Sequence, residues 1–164
     1  MKKQLMLWMI LSTIFAMSCE KDSQVLGNET SMKNYVVNYG TSFGMCIGPC
    51  RKEMNLVKND LVFTVYTTEG RGAVGGVPQS YKEKLTNLYA SNIIQNIDFE
   101  AFKKLPEVIG CPDCADGGAE WIEIIKDDSK HKVTFEFGTS PKEIEKLVQL
   151  LREKRTYFEE KYVK

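Results

Sequence analysis

The chain has 164 residues, with 22 Lys and Arg balanced by 22 Asp and Glu, and one histidine. That neutrality gives no electrostatic footprint for nucleic acid, which is not expected as a partner. One histidine also leaves little material for a dispersed catalytic triad.

The chain opens on Met1-Lys2-Lys3-Gln4, followed by an apolar stretch from Leu5 to Phe15 broken only by Ser12 and Thr13. This is the layout of a secretory signal peptide and is too short for a comfortable membrane span. It ends on Ala16-Met17-Ser18-Cys19, which resembles the lipobox of bacterial lipoproteins. The resemblance implies that Cys19 takes a diacylglyceryl group and becomes an acylated N-terminus, with palmitate-type chains. Each buried methylene then contributes about 0.8 kcal/mol of anchoring. The alternative is an ordinary secretory signal with an incidental cysteine. Residues 1–18 are expected to be the signal peptide and 19–33 the lipidated N-terminus and a flexible, polar tether. Residues 34–164 are expected to form a single domain. The acidic residues after Cys19 resemble the surface-export signal of Bacteroidota lipoproteins, and Glu20 fits passage to the outer membrane. The expected location is the cell envelope, on its periplasmic or surface face, with the membrane as a partner through the lipid.

Within the domain, Tyr35 to Val37 reads as the start of a strand. Lys52–Val57 and Leu61–Thr67, around Lys58-Asn59-Asp60, read as an antiparallel hairpin. Thr68 to Gln79 carries Gly70, Gly72, Gly75, Gly76 and Pro78 and reads as a flexible segment. Tyr81–Leu85 suits an exposed strand, and the stretch up to Ile97 suits a strand or a short helix. Asp98 is placed to cap a short helix through Leu105, with Phe99, Phe102 and Leu105 on its apolar side. Ile122 and Ile124, then Val133, Phe135 and Phe137, alternate with polar residues around Asp127-Asp128-Ser129, which predicts a second hairpin with one buried face. Ser140, Pro141 and Glu143 read as a capping box opening a C-terminal helix. Its stripe is Ile144, Leu147, Val148, Leu151, Phe158 and Tyr162. The predicted fold class is α+β: a mainly antiparallel sheet packed on one face by the C-terminal helix.

Four cysteines remain: Cys46 and Cys50 as C-x3-C, and Cys111 and Cys114 as C-x2-C. An exported chain meets an oxidising compartment, so structural disulfides come first. Four cysteines allow three connectivities. Local pairing, Cys46–Cys50 and Cys111–Cys114, is favoured because the partners are already close. Each small loop is worth roughly 2 kcal/mol, against roughly 4 kcal/mol for a bridge between the pairs. Two short pairs on separate loops also meet the needs of a tetrahedral zinc site, the one alternative cofactor. Thiol exchange or copper handling is the third reading. Asp113 and Asp116 oppose it by raising the thiol pKa, and a turn follows Cys114 where a redox motif wants a helix.

Other patterns are weaker. Gly70-Arg71-Gly72-Ala73-Val74-Gly75 matches a dinucleotide fingerprint, but Gly76-Val77-Pro78 follows instead of a helix. Asp113, Asp116 and Glu120 lack the spacing of a calcium loop. Trp121 beside them reads as core. No catalytic motif is present, and no catalytic residue is assigned.

Gly44-Met45-Cys46-Ile47-Gly48-Pro49-Cys50 running into a strand pair, and Cys114-Ala115-Asp116-Gly117-Gly118 before a strand, resemble an uncharacterised domain family of exported Bacteroidota lipoproteins. The resemblance covers about residues 34–151 and implies no established activity. The functional expectation is a non-enzymatic binding or structural module for an unknown protein or small-molecule partner. It would present its glycine-rich loop or sheet edge. A thiol redox or zinc- or copper-binding envelope protein is the alternative.

Overall fold

Period-two patterning builds the sheet, because successive side chains of a strand point to opposite faces. Val37 and Tyr39 are buried, whereas Asn38 and Gly40 alternate with them on the other face. The computed structural model describes residues 35–69 and 74–163. The signal peptide, Cys19 and the tether expected at 1–33 lie outside the described residues, as do positions 70–73.

The strands are β1 (Tyr35–Ser42), β2 (Ile47–Val57), β3 (Asp60–Glu69), β4 (Val74–Lys84), β5 (Val108–Ile109), β6 (Ala119–Lys126) and β7 (Ser129–Glu136). The helices are α1 (Asn87–Gln95), α2 (Phe99–Phe102) and α3 (Glu145–Tyr162). The sheet runs β4-β3-β2-β1-β6-β7-β5. Every pairing is antiparallel except the short parallel one of β5 with β7. Two-residue loops close the two expected hairpins, at Lys58-Asn59 and at Asp127-Asp128. Lys58 and Asp127 carry the positive φ values, 58° and 51°, that tight hairpin turns demand.

One face of the sheet holds the core. Met54, Leu56, Leu61, Phe63, Ile122, Ile124, Val133 and Phe135 project from it against Leu147, Val148, Leu151 and Phe158 of α3. Phe158 is fully buried and stacks on Phe63 at 5.2 Å. Tyr162 stacks on Tyr81 at 4.2 Å. Ala90, Ile93 and Phe102 of the shorter helices join the same cluster. The Tyr89 hydroxyl donates to the Leu150 carbonyl at 2.8 Å, which fastens α1 to α3. The fold is the α+β arrangement expected from the sequence, and among the described residues the helices of the core pack on one face of the sheet.

Four local expectations need correction. β2 begins at Ile47, not Lys52, because the first cysteine pair is built into the strand; its register shifts between Gly48 and Arg51, with Gly48 at φ 102°. The segment read as flexible contributes to two strands. β3 runs to Glu69, and Gly75 and Gln79 pair with Thr67 and Val65 across a second register shift. Pro78 is tolerated because β4 is an edge strand and pairs on one side only. The stretch before Ile97, open between strand and short helix in the sequence, takes the helical alternative as α1, capped by the Thr86 hydroxyl, which accepts from Tyr89 N. The capping box does not form: Lys142–Ile144 is a 3-10 turn without a side-chain cap, and the Ser140 hydroxyl instead accepts from Arg152 Nη1 at 3.2 Å. Asp98 does cap α2, accepting from Ala101 N at 3.0 Å, but that helix ends at Phe102.

Candidate ligand-binding face

The sheet face away from the helices is polar at its centre, where β1 runs between β2 and β6. Ladder registers place Gly40 opposite both Trp121 and Glu53, and Asn38 opposite both Glu123 and Asn55. The Trp121 indole lies across Gly40, in the space a β-carbon at position 40 would take. Glycine inside a strand often marks such a close approach. Arg51 and Lys132 flank the ring, the guanidinium carbon at 5.6 Å and the ammonium at 5.0 Å from the indole. Arg51 also lies over Tyr66, at 5.1 Å, and pairs with Glu53.

Beside the indole a hydrogen-bond chain fixes two amides. Asn55 Nδ2 donates to Asn38 Oδ1 at 2.6 Å, and Asn38 Nδ2 donates to Glu123 Oε2 at 2.8 Å. Tyr66 donates its hydroxyl proton to Glu53 Oε2 at 3.1 Å. Partial burial, and then the Glu53 charge, push the Tyr66 phenol up, so it remains a donor at neutral pH. Asn38, Asn55, Arg51, Glu53, Trp121, Glu123 and Lys132, with Val62 and Thr64, line an open cleft of about 380 Å³, and Tyr66 reaches it only through its bond to Glu53. Its charged groups, Arg51, Lys132, Glu53 and Glu123, balance.

Beneath the same strands lies a buried ionic group. Glu120 is fully buried, and its carboxylate accepts from Tyr39 Oη at 2.5 Å, Arg152 Nε at 2.9 Å, Arg152 Nη2 at 2.6 Å and Gly138 N at 3.3 Å. Arg152 also donates to the Thr139 carbonyl. Burial drives the Tyr39 phenol far above its ordinary pKa, and the adjacent Glu120 carboxylate reinforces the shift, so Tyr39 is a permanent donor. The group ties β1, β6 and α3 together. With every carboxylate lone pair engaged, Glu120 has a structural role rather than an acid–base one.

The cysteines occupy one end of the sheet. Cys46 is bonded to Cys50 and Cys111 to Cys114, the local pairing favoured from the sequence. Cys50 is 2 % exposed, whereas Cys111 and Cys114 both lie in solvent. The two loops touch: Gly44 N donates to Asp113 Oδ1 at 3.2 Å. The second loop is held by Cys111 N donating to Glu136 Oε1 at 2.8 Å. Asp113, Ala115 and Asp116 are left-handed, at φ 61°, 50° and 60°. Asp113 and Asp116 stay in this exposed loop while Glu120 points into the core, so the three carboxylates do not converge. His131 Nε2 lies 2.9 Å from the Leu105 carbonyl, in the second hairpin and apart from the cysteines.

The sequence reading therefore named the cysteine pairs and missed the cleft. Trp121 is not core: alternation along β6 puts Glu120, Ile122 and Ile124 in the interior and Trp121 and Glu123 on the open face. The available signal was Gly40 within an otherwise alternating strand. No family model and no curated protein matches this chain.

Proposed function

We propose that the protein is a lipid-anchored binding module of the cell envelope. The sheet face away from the described helices receives a small ligand, in place of the glycine-rich loop or sheet edge anticipated from the sequence. The observation that carries this reading is the cleft around Trp121, where two amides and two carboxylates are already fixed by their own hydrogen bonds. Pre-set polar groups around an aromatic ring are what a small-molecule site needs. The lipobox at Ala16–Cys19 and the polar tether support anchoring to the outer membrane. Among the described residues no helix is long and apolar enough to cross a membrane. Metabolic labelling with palmitate, followed by fractionation, tests the anchor: Cys19→Ser must lose the label and leave the membrane fraction. A saturable change in Trp121 emission, with the added compound recovered unchanged, tests the binding role. Turnover of the compound, abolished by a point substitution, overturns it.

A second reading gives the cysteines a chemical role, in thiol exchange or zinc binding. The contact between the two cysteine loops, through Gly44 and Asp113, is the observation in its favour. Either use requires the bridges to open. Intact mass after alkylation without reductant separates the readings. Two bridges and no alkylation support structural disulfides, while a zinc adduct or alkylated thiols support the second reading.

A further inference from the structure

The occupant of the cleft can be assigned by its chemistry, an inference that rests on the open sheet face being the binding site. We propose that it is a neutral oligosaccharide, two or three rings of which lie across β1 against Trp121.

The argument starts from what the cleft leaves unsatisfied. Asn55 and Asn38 each commit an amide hydrogen within the chain that ends on Glu123 Oε2. Asn55 Oδ1 and Glu123 Oε1 remain as acceptors at opposite ends of that chain. Lys132 supplies donors at the indole, on a stem long enough to swing from the ring to a ligand, and Arg51, whose Nε and Nη2 both donate to Glu53 Oε1, keeps Nη1 for one. Acceptors and donors therefore alternate around an aromatic surface. A pyranose presents the matching set: a face of C–H bonds for the indole, and a rim of hydroxyls that both donate and accept.

Other classes fit less well. A polyanion would gain Arg51 and Lys132 but meet Glu53 and Glu123, and a polycation would meet the reverse, so a charged ligand gains no net complementarity. An apolar ligand would strand two amides and two carboxylates away from water. An extended peptide binds through backbone groups at a sheet edge. Here β2, β1 and β6 are interior strands whose backbone is already paired. The cleft volume of about 380 Å³ lies at the small end of ligand sites and is open, which suits a short stretch of sugar rings.

Trp8 and Trp121 are the only tryptophans; the proposed processing at Cys19 removes Trp8, and Trp8→Phe makes Trp121 the sole indole reporter in unprocessed chain as well. The protein is titrated with maltotriose, cellotriose, mannotriose and N-acetylchitotriose. Trigalacturonate, adenosine and a Gly-Phe dipeptide complete the panel. At least one neutral trisaccharide should shift the emission saturably. Asn38→Ala and Glu123→Gln should each weaken that response by at least about tenfold, the loss of one hydrogen bond in a charged network. Glu100→Gln, on a helix remote from the cleft, should leave it unchanged, and urea midpoints confirm that the variants fold. A neutral-sugar response that survives both cleft substitutions overturns the proposal. A response only to trigalacturonate, adenosine or the dipeptide overturns the saccharide class and leaves the cleft standing as a site. Silence across the panel overturns both the saccharide and the binding face.

Discussion

Trp121 lies across Gly40, its partner in the β1–β6 ladder, and the indole occupies the space that any other side chain at position 40 would require. Gly40→Val should therefore push the indole off the sheet. Burying a larger side chain would ordinarily favour a strand, but here the clash decides the sign, at about 1–3 kcal/mol of lost stability. In the Trp8→Phe background, the emission of Trp121 should move to longer wavelength as the ring enters water. Unchanged emission would show that the indole does not depend on Gly40.

Glu120 and Arg152 form a pair that is costly to break on one side. Arg152→Met leaves a fully buried carboxylate without its cation, and urea unfolding should show a loss of about 3–5 kcal/mol. Combining it with Glu120→Leu should restore much of that loss, because the uncompensated charge is gone. Tyr39→Phe removes one donor from the same carboxylate and should cost about 1–3 kcal/mol. A double variant no more stable than Arg152→Met would contradict the assignment of the group as a structural ion pair.

The two bridges should differ in how readily they open. Cys50 is buried, so a thiolate reaches the first bridge from one side only, while both sulfur-bearing residues of the second bridge lie in solvent. Graded treatment of the native protein with glutathione, followed by alkylation and peptide mapping, should label Cys111 and Cys114 before Cys46 and Cys50. Labelling in the opposite order would reject burial as the controlling factor. Each bridge closes a small loop and should contribute roughly 2 kcal/mol.

Glu83 should give the acid limb of the stability curve a measurable component. Its partial burial disfavours the charge, but hydrogen bonds from Lys161 and Lys154 outweigh it and hold the carboxyl below its usual range. A depressed folded-state pKa contributes stability that is fully present above the unfolded value of about 4.3 and is lost as pH falls through the lower folded value. Glu83→Gln should cost up to about 1 kcal/mol at pH 7, since the group is partly solvated. The deficit should vanish at pH values below both pKa values. Chemical denaturation of both proteins across that range checks the convergence.

Phe158 is the centre of the packing between α3 and the sheet. Phe158→Ala should cost about 3–5 kcal/mol by cavity formation. The measurement is the urea midpoint, at a constant m-value.

The elements legible in the sequence were those whose own residues determine them. Ile122 and Ile124, and Val133 and Phe135, announce a half-buried hairpin by period alone. Ile144, Leu147, Val148, Leu151 and Phe158 do the same for the C-terminal helix. Local cysteine spacing favoured the observed pairing. What stayed hidden depends on neighbours far along the chain. Gly75, Gly76 and Pro78 read as a loop because their ladder to β3 is not a local property. Glu120 groups with Asp113 and Asp116 in the sequence, because its cation, Arg152, lies on a helix 32 residues later. The cleft needs the register of three strands before Asn38, Asn55, Trp121 and Glu123 come together.

The position of β1 has a consequence for how the chain reaches its folded form. The first described strand is also the seam of the sheet: β2 can join it as soon as a few more residues exist, but β6 pairs with it from about eighty to ninety positions away. A chain that emerges N-terminus first must therefore hold one side of β1 unpaired until β6 has emerged as well. Closure of so distant a contact is slow, and an unpaired strand edge invites aggregation in the interval. The late arrival of β6 also delays completion of the sheet, so the early polypeptide stays pliable for longer than a fold assembled strand by strand.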